Sequence, residues 1–149
     1  MSVSKTTLWT LFGAALFMSV TAYGISSAVD TPRTLMARGE YNDLKRGIEA
    51  EGKVAVAKCR DEADSSAREL CKAKAKADER IRVADLDSRY FGTVRAGAEA
   101  RVVRAKARYD VARARCSSEP SHGRIACLRG AREENAKALA EAKAGSSSI

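Results

Sequence analysis

The residues that usually announce catalysis or cofactor binding are scarce in this sequence of 149 amino acids. A single histidine, His122, leaves no spacing that resembles a nucleophile, base and carboxylate triad. The four cysteines contain no Cys-x-x-Cys pair, which removes the usual redox motif, and no glycine-rich phosphate loop is present. Large aliphatics are thin as well. Residues 29–149 hold eight valines, six leucines, four isoleucines and one phenylalanine, about 16% of 121 positions. That is below what a well-filled core normally contains. Only two prolines occur, Pro32 and Pro120, so long stretches between them carry no backbone obstacle to helix.

Charge is nearly absent from the N-terminus. One lysine, Lys5, precedes an uncharged apolar run from Leu8 to Val20, and small residues follow at Ala22-Tyr23-Gly24 and Ser26-Ser27-Ala28. This is the layout of a secretory signal peptide over 1–28, with cleavage expected after Ala28. The alternative is a retained membrane anchor, because no charge stands between Lys5 and Asp30. Both readings put the remaining chain outside the cytoplasm, periplasmic or secreted, or tethered to the inner membrane and facing the periplasm. No cysteine precedes Cys59, so a lipid-modified N-terminal cysteine is not expected. Loss of 1–28 removes Lys5 and no acid, lowering the formal charge from +8 to +7.

What is present is alanine, charge and helical periodicity. Residues 29–39, with Pro32, read as a flexible tether, and a helical domain is expected over 40–144 in two repeats, about 40–89 and 95–144. Helix one, starting near 39–42, places Tyr41, Leu44, Ile48, Gly52, Ala55 and Cys59 on one face. The Ser66-Ala67-Arg68-Glu69 stretch matches a capping box and opens helix two, which runs to about Arg89 with Leu70, Ala73, Ala77, Ile81 and Ala84 aligned. Tyr90-Phe91-Gly92-Thr93 breaks the pattern. Helix three, from about Arg95 to Cys116, has two apolar edges. Ala100, Val103, Ala107, Val111 and Ala114 form one; Ala98, Val102, Ala105, Tyr109 and Ala112 form the other, so this helix can touch two neighbours. Ser117 to Gly123 reads as a loop. Helix four follows from about Arg124 to Lys143 with Leu128, Ala131, Asn135, Ala138 and Ala142 on one side, and 145–149 is expected to be a disordered tail.

The repeat is clearest at the cysteines. Val54-Ala55-Val56-Ala57-Lys58-Cys59 is followed by Cys71, and Val111-Ala112-Arg113-Ala114-Arg115-Cys116 by Cys127. Four cysteines in a short exported chain imply disulfides, with three possible connectivities. Helical hairpins favour Cys59 with Cys71 and Cys116 with Cys127, because each intervening turn brings its own pair together. A zinc site from these cysteines and His122 is disfavoured, since spacings of eleven and ten intervening residues exceed those of structural zinc motifs. The acids Asp61, Glu62 and Asp64 lack the ligand spacing of a calcium loop. The expected fold is all-α, two disulfide-stapled hairpins in a loose or elongated bundle behind the export signal.

With Tyr109-Asp110-Val111-Ala112 leading into Cys116, and with the Ala-x-Ala-x-Cys and Val-Ala-x-x-Cys helix ends, the chain resembles a group of exported proteins of Gram-negative proteobacteria. These are alanine- and lysine-rich, two-disulfide helical-repeat proteins, sometimes labelled envelope-biogenesis or TolA-like. The resemblance covers roughly Tyr41 to Lys143. Where that pattern has a glycine-asparagine turn before the second cysteine, this chain has Asp64-Ser65-Ser66 and Pro120-Ser121-His122-Gly123. The resemblance implies an envelope setting and assigns no catalytic residue.

The expected function is therefore a non-enzymatic periplasmic envelope or scaffold protein, with no cofactor, no bound metal and no small-molecule substrate. Its partner would be an envelope protein or an anionic polymer or lipid. The alternative is a polyanion-binding module for nucleic acid, lipopolysaccharide or anionic lipid. Arg101, Arg104, Arg108 and Arg115 share one strip of helix three, Lys106 and Arg113 form a second, and only Asp110 opposes these six charges between Arg101 and Arg115.

Overall fold

A computed structural model describes residues 36–144. The signal segment expected at 1–28, most of the tether and the tail at 145–149 lie outside the described residues. Four helices follow one another: α1, Arg38–Lys58; α2, Ser65–Phe91; α3, Val94–Cys116; and α4, Ser121–Ala144, with a single 3-10 turn at Cys59–Asp61 after α1. Among the described residues there is no strand. The fold is all-α, stapled by Cys59–Cys71 and Cys116–Cys127, each pair with its Cα atoms 5.6 Å apart.

The helices are antiparallel neighbours laid side by side in chain order. α1 packs on α2, α2 on α3 and α3 on α4, and among the described residues no other pair of these helices touches. The two hairpins therefore join through α2 and α3. This follows from where α2 and α3 carry their contact residues. On α3 the edge holding Ala100, Val103, Ala107 and Val111 and the edge holding Ala98, Val102, Ala105 and Tyr109 lie roughly 180° apart at about 100° per residue. Every residue of both edges is buried or half-buried. Contacts on opposite sides of one rod give the open, elongated form of the expected bundle, a layer of four helices. On α2, Arg80 and Asp85 pair with Asp110 and Arg104 of α3, which turns the strip between them, with Leu70, Ala73, Ala77, Ile81 and Ala84, toward α3. The opposite strip, with Glu79, Arg82, Leu86 and Tyr90, meets α1.

That second strip was invisible as an apolar stripe because charged residues interrupt it. Its contacts are mixed. Leu86 is fully buried, Arg82 Nη1 pairs with Glu51 Oε2 at 2.6 Å, and the Tyr90 ring stacks on Tyr41 with centroids 4.2 Å apart. The Tyr41 hydroxyl donates to Asp87 Oδ1 at 2.7 Å and accepts from Lys45 Nζ at 3.3 Å. The hydrogen bond to Tyr41 raises the Lys45 ammonium above the ordinary lysine range. At Gly52 of α1 an added Cβ would overlap the Glu79 side chain of α2. These contacts rotate α1 relative to the expected face: Leu44 is 43% exposed and Ala55 is exposed, while Lys45 and Val56 are half-buried.

Helix ends also depart from expectation in instructive ways. The capping box at Ser66 and Glu69 does not form. Asp64 caps α2 instead, its Oδ2 accepting from the Ala67 amide at 2.7 Å, and Glu69 pairs with Lys72. A carboxylate two residues earlier satisfies the free amides, meets the positive end of the helix dipole and adds half a turn. α4 begins at Ser121, three residues before expected, because the Pro120 carbonyl accepts from the Gly123 and Arg124 amides at 2.9 Å. Proline opposes helix interiors, not helix starts. Between α2 and α3 only Gly92 and Thr93 intervene. Gly92 is left-handed, with φ 61°, and Thr93 Oγ1 accepts from the Ala96 amide at 3.1 Å. Gly92→Ala should lower stability by about 1–2 kcal/mol, read as a lower urea midpoint at unchanged slope, since a Cβ is disfavoured at that φ. An unchanged midpoint would mean that the turn relaxes to another geometry.

Candidate anion-binding surfaces

Because α2 and α4 flank α3 on opposite sides, α3 shows one strip to each broad face of the layer. Arg101, Arg104, Arg108 and Arg115 fall within about 60° on one strip, and Lys106 with Arg113 lie roughly 160° away on the other. The six basic residues named from sequence therefore occupy two faces. Within the first strip Arg101, Arg108 and Arg115 are exposed, whereas Arg104 is partly committed: its Nη2 pairs with Asp85 Oδ1 of α2 at 2.6 Å, with 39% and 40% of the two side chains exposed. On the second strip the Arg113 guanidinium stands 5.7 Å from the centroid of the Tyr109 ring. Asp110, the acid that opposed these charges in sequence, is engaged by Arg80 of α2 at 2.7 Å.

The second face holds a feature that reading helix three alone did not reveal. α2, α3 and the start of α4 line an open groove of about 810 Å³. Lys72, Lys76 and Arg80 enter it from α2, Arg113 from α3 and Arg124 from the first turn of α4. The first three recur every four residues, so one side of α2 is basic over two turns. That spacing was legible. Its meeting with Arg113 and Arg124 was not, because it depends on which sides of three helices adjoin. The groove also contains Glu69, Glu79 and Asp110. Lys72 Nζ binds Glu69 Oε1 at 2.9 Å, and this hydrogen bond holds the Glu69 carboxyl below the usual glutamate range.

All four cysteines are in the two disulfides, with Cys59 and Cys116 buried, and no free cysteine remains. Among the described residues no group of three or more His, Cys, Asp or Glu side chains is placed to hold a metal ion. His122 is exposed at the start of α4. Among the described residues no helix is long and apolar enough to cross a membrane. Two intramolecular disulfides fit an oxidising, extracytoplasmic compartment. Comparison with protein-family models, with curated proteins and with solved structures gives no match.

Proposed function

We propose that this chain is a non-enzymatic scaffold or interaction protein of the periplasm, working through the broad faces of its helical layer. The observation that supports this is the layer itself. With α1 touching only α2, and α4 only α3, both broad faces of the layer stay open to a partner, and Leu44, Val54, Phe91, Val94 and Ile125 remain exposed. The reading is tested by crosslinking the purified protein in envelope extracts before and after reduction. Partners captured reproducibly by the oxidised protein and lost on reduction support it. Capture that is identical for the reduced protein overturns it, because the shaped layer would then be irrelevant.

A second reading has its own observation. Three exposed arginines, Arg101, Arg108 and Arg115, line up on one face of α3 with Arg104 beside them, which favours sequence-independent binding of a long polyanion. Arg101→Gln, Arg104→Gln and Arg108→Gln together should elute from heparin at lower salt. The slope of log affinity against log salt should fall by about 2, not 3, because Arg104 is already paired with Asp85. Elution at the parent's salt concentration would make this strip ordinary solvated surface.

A further inference from the structure

The groove on the opposite face supports a narrower inference that does not rest on the α3 arginine strip. Its five cations come from three helices, so no single helix could present them to one ligand. Two are internally compensated: Lys72 by Glu69 at 2.9 Å and Arg80 by Asp110 at 2.7 Å. The others differ. Among the described residues Lys76 and Arg113 have no ion-pair partner, and the Arg113 guanidinium is steadied over the Tyr109 ring. Arg124 Nη2 donates to the Ser117 and Glu119 carbonyls at 3.4 and 3.3 Å, which ties a third guanidinium to the α3–α4 turn. With five cations against three acids the groove carries a surplus of two positive charges. Tethered cations lose less freedom on binding than lysines and arginines that sweep through solvent.

We propose that this groove binds a compact phosphate dianion, a phosphomonoester or diphosphate group, with Lys76 and Arg113 as its principal ligands and Arg124 at the turn end. An ammonium point charge and a planar guanidinium fork lining one groove suit tetrahedral phosphate oxygens. The site has the size of a small-molecule pocket, which typically spans about 300–1,000 Å³. A long polyanion is disfavoured here, since three acids, Glu69, Glu79 and Asp110, share the groove with its five cations and leave a surplus of only two positive charges. The phosphate could be carried by a soluble molecule or by a lipid headgroup, and the two sources are separable.

The experiment uses the oxidised protein with three probes at low salt: inorganic pyrophosphate by calorimetry, phosphatidylcholine vesicles with phosphatidic acid, a phosphomonoester lipid, and matched vesicles with phosphatidylglycerol, a phosphodiester. Two variants accompany the parent, Lys76→Gln with Arg113→Gln, and Arg101→Gln with Arg108→Gln on the other face. Circular dichroism checks that each remains helical. Pyrophosphate binding that weakens at least ten-fold in the groove variant and is unchanged in the other supports a soluble ligand. Binding confined to phosphatidic acid vesicles, and lost in the same variant, supports a lipid-borne one. The proposal is overturned if neither pyrophosphate nor phosphatidic acid vesicles bind, if the groove variant binds like the parent, or if phosphatidylglycerol vesicles serve as well as phosphatidic acid. Those outcomes leave the crosslinking and heparin results untouched, so failure here is distinct from failure of the scaffold reading.

Discussion

Removing the Cys59–Cys71 bridge, by Cys59→Ala with Cys71→Ala, is expected to release α1 while α2, α3 and α4 stay folded. The bridge closes a loop of 13 residues, worth about 3 kcal/mol in the chain-entropy model, and should lower Tm by roughly 10–20 °C. The selectivity comes from the architecture. α1 has one neighbour, and within Arg38–Lys58 only Ile48 and Gly52 are buried, so besides the staple it is held by its seam with α2 alone, through the Tyr41–Tyr90 stack, the Tyr41–Asp87 hydrogen bond and the Glu51–Arg82 pair. Native-state hydrogen exchange should show the amides of 38–58 opening at lower free energy than those of α2 and α3. The matching change at Cys116 and Cys127 should release α4 in the same way. If α1 and α3 amides lose protection together in the Cys59 and Cys71 variant, the layer is one cooperative unit and the argument from neighbour count fails. An unchanged Tm would sink the staple argument itself.

Leu86→Ala is the second large effect. Among the described residues Leu86 is the largest fully buried side chain, and the next two by size, Cys59 and Cys116, belong to the bridges. Truncating a buried leucine costs about 2–5 kcal/mol through lost burial and the cavity left behind. Leu44→Ala, at a position 43% exposed, should cost under about 1 kcal/mol, although both leucines looked equivalent in composition. Leu86 sits one helical turn from both Arg82 and Tyr90, so its loss should also loosen the Tyr41–Tyr90 stack, visible as a weaker near-ultraviolet tyrosine signal. A urea series placing Leu86→Ala within 1 kcal/mol of the parent would contradict the packing described here.

Helix α3 shows how far the residues alone can be pushed. Its two apolar edges were readable as a repeat of alanine and valine, and they required two neighbours. The strip of α2 facing α1 was not readable, since Glu79, Arg82, Leu86 and Tyr90 share no hydropathy. It is a contact made by a close approach at Gly52, an ion pair and a ring stack, each of which needs a partner residue about 30 to 50 positions away. The Asp64 cap has a smaller cause: Ser66 and Glu69 match a known pattern, but Asp64, two residues upstream, takes the Ala67 amide and starts the helix at Ser65, which leaves Ser66 inside the first turn.

By itself, then, the sequence determined four helices, the approximate places of their turns and the two local bridges. These depend on interactions within about a dozen residues: alanine-rich helix propensity, proline and glycine at the breaks, and cysteines at paired helix ends. Only the tertiary structure decided that the helices form a single layer, that Leu44 faces solvent while Leu86 is sealed, and that Lys72, Lys76 and Arg80 meet Arg113 and Arg124 in one groove. The physical reason is rotation about each helix axis. A helical wheel orders residues around one rod, but the angle at which that rod meets the next is set by close approaches, rings and ion pairs contributed by the other rod.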